Sequence, residues 1–179
     1  PINEPQWDWN YEKGQEGCHY KAAEINELLK VLLPKLKDEN LNIGVSVVDA
    51  GEWKTADRYM EKLFSDKYLN NEIGHFAVHS YWSDEKDKEF AANYFHRNYP
   101  EKSLWMSEWT EMKEGRDYGM DSALNMAKVI HDDLKTAKVN SWQYWLAVSK
   151  YDYRDGLIYT DEGSEKIEPT KRLWVLGNY

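Results

Sequence analysis

The chain has 179 residues, enough for one domain with a sizeable core, and its 23 lysines and arginines against 32 aspartates and glutamates leave a net charge of −9. That balance repels phosphate backbones and no basic stripe offsets it, which argues against nucleic acid as a partner. No run of about 18 apolar residues exists to span a membrane, and the single cysteine, Cys18, can form neither an internal disulfide nor a cysteine-based metal site.

The chain opens inside what reads as a strand, Ile2-Asn3-Glu4, stopped by Pro5. Its beginning is therefore expected to lie upstream. A loop rich in Trp, Asp, Asn, Gly and Gln follows, from Gln6 to Gly17, too polar for a core and too aromatic for a plain linker. From about Lys21 to Lys37, Ile25, Leu28, Leu29, Leu32, Leu33 and Leu36 recur at three- and four-residue spacings and predict an amphipathic helix, with Pro34 expected to kink or shorten its last turn. Ile43 to Asp49 is a short β-branched run, hence a buried strand whose tip presents Asp49, Glu52 and Trp53.

A helix over about Ala56 to Leu63 precedes a second strand, Phe76 to Trp82. Ser83 to Arg97 is expected to be helical, with Phe90, Tyr94 and Phe95 facing inward. The strand Leu104-Trp105-Met106-Ser107-Glu108 then ends in a carboxylate flanked in sequence by Trp105 and Trp109. A helix from about Asp121 to Thr136 starts at the Asp121-Ser122 signal and turns Leu124, Ala127, Ile130 and Leu134 inward. Asn140 to Val148 reads as one further strand, Ser149 to Lys166 as a long polar loop, and Thr170 to Leu176 as a last helix start.

Strands alternating with helices build a parallel sheet with right-handed crossovers. Chemically loaded residues at consecutive strand ends favour a (β/α)8 barrel over a doubly wound sheet with one switch point. Five units are present where closure needs eight. The fold class is thus α/β, a partial (β/α)8 TIM barrel comprising strands four to eight with their helices, and residues 1–179 are expected to be the carboxyl-terminal portion of a catalytic domain. A piece without its first three strands is expected to be poorly stable and weakly active.

Nine tryptophans and thirteen tyrosines exceed what a core of this size needs, and flat rings with polar tips suit the C–H faces of a carbohydrate. Two glutamates at strand tips, Glu4 and Glu108, supply what glycosidic hydrolysis requires: an acid for the leaving oxygen and a carboxylate across the anomeric carbon. A separation of about 5 to 5.5 Å implies retention of configuration, and about 6.5 to 9.5 Å implies inversion.

Asn3-Glu4-Pro5, then Val78-His79-Ser80-Tyr81, then Ser107-Glu108 and a Trp-rich final strand, in that order, resemble glycoside hydrolase family 30, of the clan of retaining (β/α)8 glycosidases. The resemblance covers essentially the whole chain. It implies that Glu4 is the acid/base and Glu108 the nucleophile, that Asn3 binds the sugar 2-hydroxyl, that Tyr81 contacts the nucleophile and keeps it ionised, that His79 walls the site, and that Trp145 floors the reacting subsite. Trp7 and Trp53 join the substrate-binding set as stacking platforms, with plain packing as the equal alternative for each. Asn3 to Trp7 followed by Gln15-Glu16-Gly17-Cys18 is similar to the endo-β-1,6-galactanase branch; other branches act on β-1,6-glucan, glucuronoxylan or glucosylceramide. No cofactor and no metal are implied. The implied partner is a β-linked oligo- or polysaccharide, with the missing amino-terminal strands and the family's β-sandwich segments as further partners, and a polymer substrate implies an extracellular or cell-surface location.

Competing readings attach to the same residues. Glu4 could cap a helix, His79 alone would be a core histidine, and Glu52 and Glu111 read as rim charges. Trp142 and Trp145, an odd interval apart, would point to opposite faces of a strand, and Trp145 is the one assigned to the interior. Asp132-Asp133 and the Glu114, Arg116, Asp117 group read as solvated charges, and Cys18 as inert. As a whole, the chain could be a carbohydrate-binding remnant without turnover. A flavodoxin-type phosphate binder lacks its Gly-rich loop after the first strand.

Overall fold

The computed structural model describes residues 2–13 and 16–179, and its main sheet has four strands that pair in chain order. These are β1 (Val47–Ala50), β2 (His75–His79), β3 (Ser103–Glu108) and β4 (Ser141–Trp142), every pair parallel. Between them run α1 (Ala22–Asp38) ahead of β1, α2 (Ala56–Phe64) and α3 (Lys67–Glu72), α4 (Glu85–Asn98), and α5 (Met120–Lys135). Sequential parallel order with intervening helices is the arrangement of consecutive strands in a (β/α)8 barrel, whereas a doubly wound sheet reverses its order at a switch point.

A second, small sheet joins β5 (Val148–Ser149), β6 (Ile158–Thr160) and β7 (Ile167–Pro169), after which α6 (Lys171–Leu176) ends the elements. No helix among the described residues is long and apolar enough to cross a membrane.

The core lies between the sheet and its helices. Phe76 and Val78 of β2 and Leu104 and Met106 of β3 point to one side and meet Ile25 and Leu29 of α1, Met60 and Leu63 of α2, Phe95 of α4 and Met126 and Ile130 of α5, all of them buried. Burial of aliphatic and aromatic side chains at this depth contributes roughly 1.5–3 kcal/mol each.

Several expectations need correction. Ile2-Asn3 forms no strand; a bond from the Glu4 N–H to the Asp49 carbonyl at 2.8 Å tethers it beside β1. Glu4 adopts φ 48° and Pro5 has no N–H to extend a ladder. Four parallel strands are therefore seen where five were expected. α1 runs through the exposed Pro34 to Asp38 without ending there.

On α4, Phe90 is 66% exposed while Phe95 is buried. On α5 the inward face is Ser122, Ala123, Met126, Ile130 and Asp133, leaving Leu124 and Leu134 outside. That helix is capped by Gly119, and Ser122 sits in its first turn bonded to Glu111 and Arg172. The expected strand Asn140 to Val148 breaks after Trp142 and resumes as β5 in the other sheet. The stretch read as a polar loop contains β6, whose Tyr159 is buried.

Candidate active site

Residues at the carboxyl ends of the strands converge because two ladders slip there. Between Val78 and His79 the β2–β3 register shifts so that His79 faces Glu108, with Ser107 left as the extra residue. Strict alternation would have put Glu108 on the Leu104–Met106 side, in the core. The bulge instead turns it to the opposite side of the sheet, toward His79. A second shift lies at Asp49, between Val48 and Ala50, and Asp49, like Glu4 and Trp82, has a positive φ. Left-handed backbone at non-glycine residues costs about 1–2 kcal/mol each and gathers where function constrains the chain.

Ligand atoms of Glu4, His79 and Glu108 lie within 4.8 Å of one another. His79 Nδ1 is 3.1 Å from Glu4 Oε1 and 3.8 Å from Glu108 Oε1, and its Nε2 is 3.9 Å from Asp49 Oδ1. The Tyr81 hydroxyl donates to Glu108 Oε1 at 3.1 Å, and Ser107 Oγ donates to Asp49 Oδ1 at 2.6 Å. Above the two glutamates opens a cleft of about 1110 Å³, lined among others by Asn3, Glu4, Tyr81, Glu108 and Trp145. The structure thus brings five of the expected residues to one place.

A sixth, His79, is in contact with both glutamates, and the remaining two, Trp53 and Trp7, fall elsewhere. His79 is 1% exposed and lies beneath the glutamates rather than forming a wall of the cleft. Trp53 is buried in the core, its Nε1 donating to Ser80 Oγ at 2.8 Å. Trp7 lines a neighbouring cavity of about 500 Å³ with Trp9 and Trp82, both of which also border the main cleft. Glu108 is not held between its two flanking tryptophans: Trp105 stacks on His75 with ring centroids 4.0 Å apart, and Trp109 is buried in the core against Trp142 and Tyr144. Gln15 of the galactanase-like motif lies outside the described residues, and Glu16 lines the cleft.

Burial pushes the Glu108 carboxyl above the ordinary carboxylate range, with the nearby Glu4 adding to the rise and His79 and the Tyr81 hydroxyl opposing it. Burial and the Glu108 charge likewise hold the Tyr81 phenol above its usual range, so it remains a proton donor across the working pH span. The Tyr81 contact is present as expected, yet desolvation outweighs it. A divalent cation could span Glu4, His79 and Glu108 by distance alone. It would have to displace the His79–Glu4 and Tyr81–Glu108 contacts.

The loop from Ser149 to Lys166 carries cleft residues that the sequence reading passed over. Tyr151, Asp152, Tyr153 and Asp155 all line the cleft. Their alternation of aromatic and acidic residues is the signal that could have found them. Asp133, read as solvated, is wholly buried; its Oδ1 meets Lys88 Nζ at 2.8 Å, and its carboxylate accepts from Ser80 and Trp142. Asp117 pairs with Arg154 at 3.5 Å and Arg116 with Asp161 at 2.8 Å, whereas Glu114 borders the cleft.

Residues 1–159 match the family model described as O-glycosyl hydrolase family 30, and the chain belongs to that family. Solved structures share the fold. The catalytic domain of a family 30 xylanase C from Talaromyces cellulolyticus aligns with a TM-score of 0.73 at 15% identity, covering 97% of this chain and 38% of that one. A conserved exported protein from Bacteroides fragilis gives a TM-score of 0.79 at 22% identity, over 100% and 44%. An endo-β-1,6-glucanase gives 0.71 at 18% identity, over 98% and 41%. The chain therefore spans about four tenths of the length of the structures it resembles.

Proposed function

We propose that this chain carries the two catalytic carboxylates of a retaining glycoside hydrolase acting on a β-linked polysaccharide. The observation that carries the reading is that one carboxylate oxygen of Glu4 and one of Glu108 lie within 4.8 Å of each other beside a cleft large enough for sugar units. That separation suits direct attack by a carboxylate and is shorter than the about 6.5 to 9.5 Å that leaves room for an attacking water.

Glu108, fixed by Tyr81, attacks the anomeric carbon and forms a glycosyl ester. Glu4 gives its proton to the departing glycosidic oxygen and then takes one from the incoming water. Asn3 lies beside Glu4 on the same cleft wall, within the region where a sugar 2-hydroxyl would sit, and Trp145 offers a ring face for the sugar. The galactanase-like motif from Asn3 to Trp7 supports β-1,6-galactan as the polymer, and β-1,6-glucan is the alternative nearest in linkage. A polymer of this kind places the protein outside the cell or on its surface. Residues 1–179 are then the carboxyl-terminal portion of the catalytic barrel, in line with the share of the solved structures they cover.

Binding of the same glycan without turnover is a second reading, favoured by the rings of Trp9, Trp82 and Trp145 along the cleft. Covalent capture separates the two. A 2-deoxy-2-fluoro glycoside is expected to label Glu108, and Glu4→Gln to slow poor leaving groups by about 10²–10⁴-fold while sparing activated aryl glycosides. Mass spectrometry that found the label on another carboxylate, or equal slowing of both substrates, would defeat the role assignment.

A further inference from the structure

The cleft is rich in carboxylates and has no cation to match them. Glu4, Glu16, Glu108, Glu114, Asp152 and Asp155 line it, and among the described residues no lysine or arginine does. Three basic side chains of the flanking loops are engaged elsewhere, while Lys113, between Met112 and Glu114, is exposed and does not line the cleft. Arg154, next to Asp155, is turned onto Glu111 at 3.2 Å and Asp117 at 3.5 Å, Arg116 onto Asp161 at 2.8 Å, and Lys150 onto Glu162 at 2.5 Å.

Asp155 stands apart from the other five. It is 6% exposed, and its Oδ1 is buried with no hydrogen-bond partner in the protein. Its backbone carbonyl accepts from the Leu146 N–H at 2.8 Å, which anchors it beside Trp145. A buried acceptor without a donor keeps the full penalty of its desolvation until a ligand supplies a proton. Next to an aromatic ring in a cleft, the ligand group that does this without adding charge is a sugar hydroxyl.

We infer that the cleft takes an uncharged, hydroxyl-rich sugar unit and rejects uronate, with Asp155 Oδ1 accepting a hydroxyl of the sugar that packs on Trp145. The inference rests on the carbohydrate reading above and narrows its substrate class. A neutral pyranose satisfies the orphaned oxygen. A hexuronate brings one more negative charge among six carboxylates in a partly water-excluded space, where like charges repel more strongly than in bulk water. Uronate-bearing polymers are thereby disfavoured, and unsubstituted β-linked galactan or glucan favoured.

The test uses ligands that cannot be cut. Thio-linked β-1,6-disaccharides of galactose and of glucose, and the same compounds with the non-reducing unit oxidised to the uronate, are titrated into the full chain. Calorimetry or NMR reads binding at about 50 and about 500 mM salt. At least one neutral disaccharide should bind about tenfold or more tightly than its uronate at the lower salt, and the gap should narrow at the higher. Asp155→Asn should weaken the neutral ligand severalfold and narrow the gap. If that variant does not fold, Glu114→Gln removes one wall charge and should also narrow it.

Uronates that bind as tightly as the neutral sugars would overturn the inference, as would a gap that neither variant changes. If none of the disaccharides binds, the inference and the carbohydrate reading fall together. If the binding order holds but the oxygen-linked disaccharides are not cleaved, only the hydrolase reading is lost.

Discussion

His79 and Ser80 stand back to back at the end of β2, and the carboxylates they meet are treated in opposite ways. On the Ser80 side, Asp133 lies in the helix layer with a full cation beside it. Lys88 Nζ is 2.8 Å away, Ser80 Oγ bonds both carboxylate oxygens at 2.8 and 2.9 Å, and Trp142 Nε1 donates at 2.9 Å. On the His79 side, Glu4 and Glu108 share one imidazole and one phenol, and no lysine or arginine lines their cleft among the described residues.

Burial pushes both Asp133 and Glu108 upward, so desolvation alone does not tell them apart. Compensation does. A carboxylate closed in by a lysine and two neutral donors has nothing left to offer a ligand, and it reads as a clamp that holds α4 and α5 against the sheet. Two carboxylates with a shared histidine and an open cleft above them keep lone pairs and protons available for chemistry.

The comparison breaks most visibly if the clamp is not a clamp. Lys88→Met should leave Asp133 as an uncompensated buried charge and cost about 3–5 kcal/mol in urea unfolding. Adding Asp133→Asn should return most of that loss, because an amide needs no counter-ion while keeping its bonds to Ser80 and Trp142. A double variant as unstable as the single one would mean that the lysine stem, and not the ion pair, holds the helices.

How much of this was legible beforehand depended on whether a residue's role follows from local pattern. The helices near Ala22, Glu85 and Met120 were readable because apolar spacing is a local property, whereas the start signal at Asp121-Ser122 lies inside a helix capped by Gly119. Their inward faces were less so: on α5 the buried set keeps Ile130 but otherwise turns to Ser122, Ala123, Met126 and Asp133, which leaves Leu124 and Leu134 outside. Asp133 looked solvated because its partner Lys88 lies on another helix, and a pairing at that distance in sequence leaves no mark in either segment. Glu4 and Glu108 were legible through the motifs around them. The slip that aims Glu108 away from the core was not, since a bulge is set by the partner strand's register. Trp53 followed the pattern of a tip residue, yet the chain folds its ring under the tip onto Ser80. The stretch from Tyr151 to Asp155 was passed over because its alternation of aromatic and acidic residues lies inside a polar loop rather than at a strand tip.

On the His79 side the largest single change is expected from Tyr81. Its hydroxyl donates to Glu108 Oε1 at 3.1 Å, and it stabilises the ionised form. The attacking carboxylate must be ionised, and removing the donor disfavours that state, so Tyr81→Phe should move the acidic limb of the kcat/KM profile to higher pH. Just above the original limb the loss should be roughly tenfold or more, shrinking toward the alkaline side. An unmoved limb with a uniform loss would show that the hydroxyl acts on the substrate and not on Glu108.

The smallest effect is also the sharpest test of whether the cleft is left charged at a cost to the fold. The Glu108 carboxyl is raised above its unfolded value by burial, so the folded protein holds this proton more tightly than the unfolded chain does. The stability that goes with the protonated form is fully present below the unfolded value and is lost as pH rises through the folded one. Glu108→Gln cannot ionise, so it should escape that loss. Its melting temperature should exceed that of the wild type by roughly 2–4 °C near neutral pH and match it in acid. The same substitution at a compensated carboxylate, Asp133→Asn with Lys88 in place, should show no such gain, because it leaves a buried ammonium without its counter-ion. If Glu108→Gln melted lower than the wild type at neutral pH, the ionised carboxylate would be contributing to the fold, and the contrast between the two sides of β2 would lose its basis.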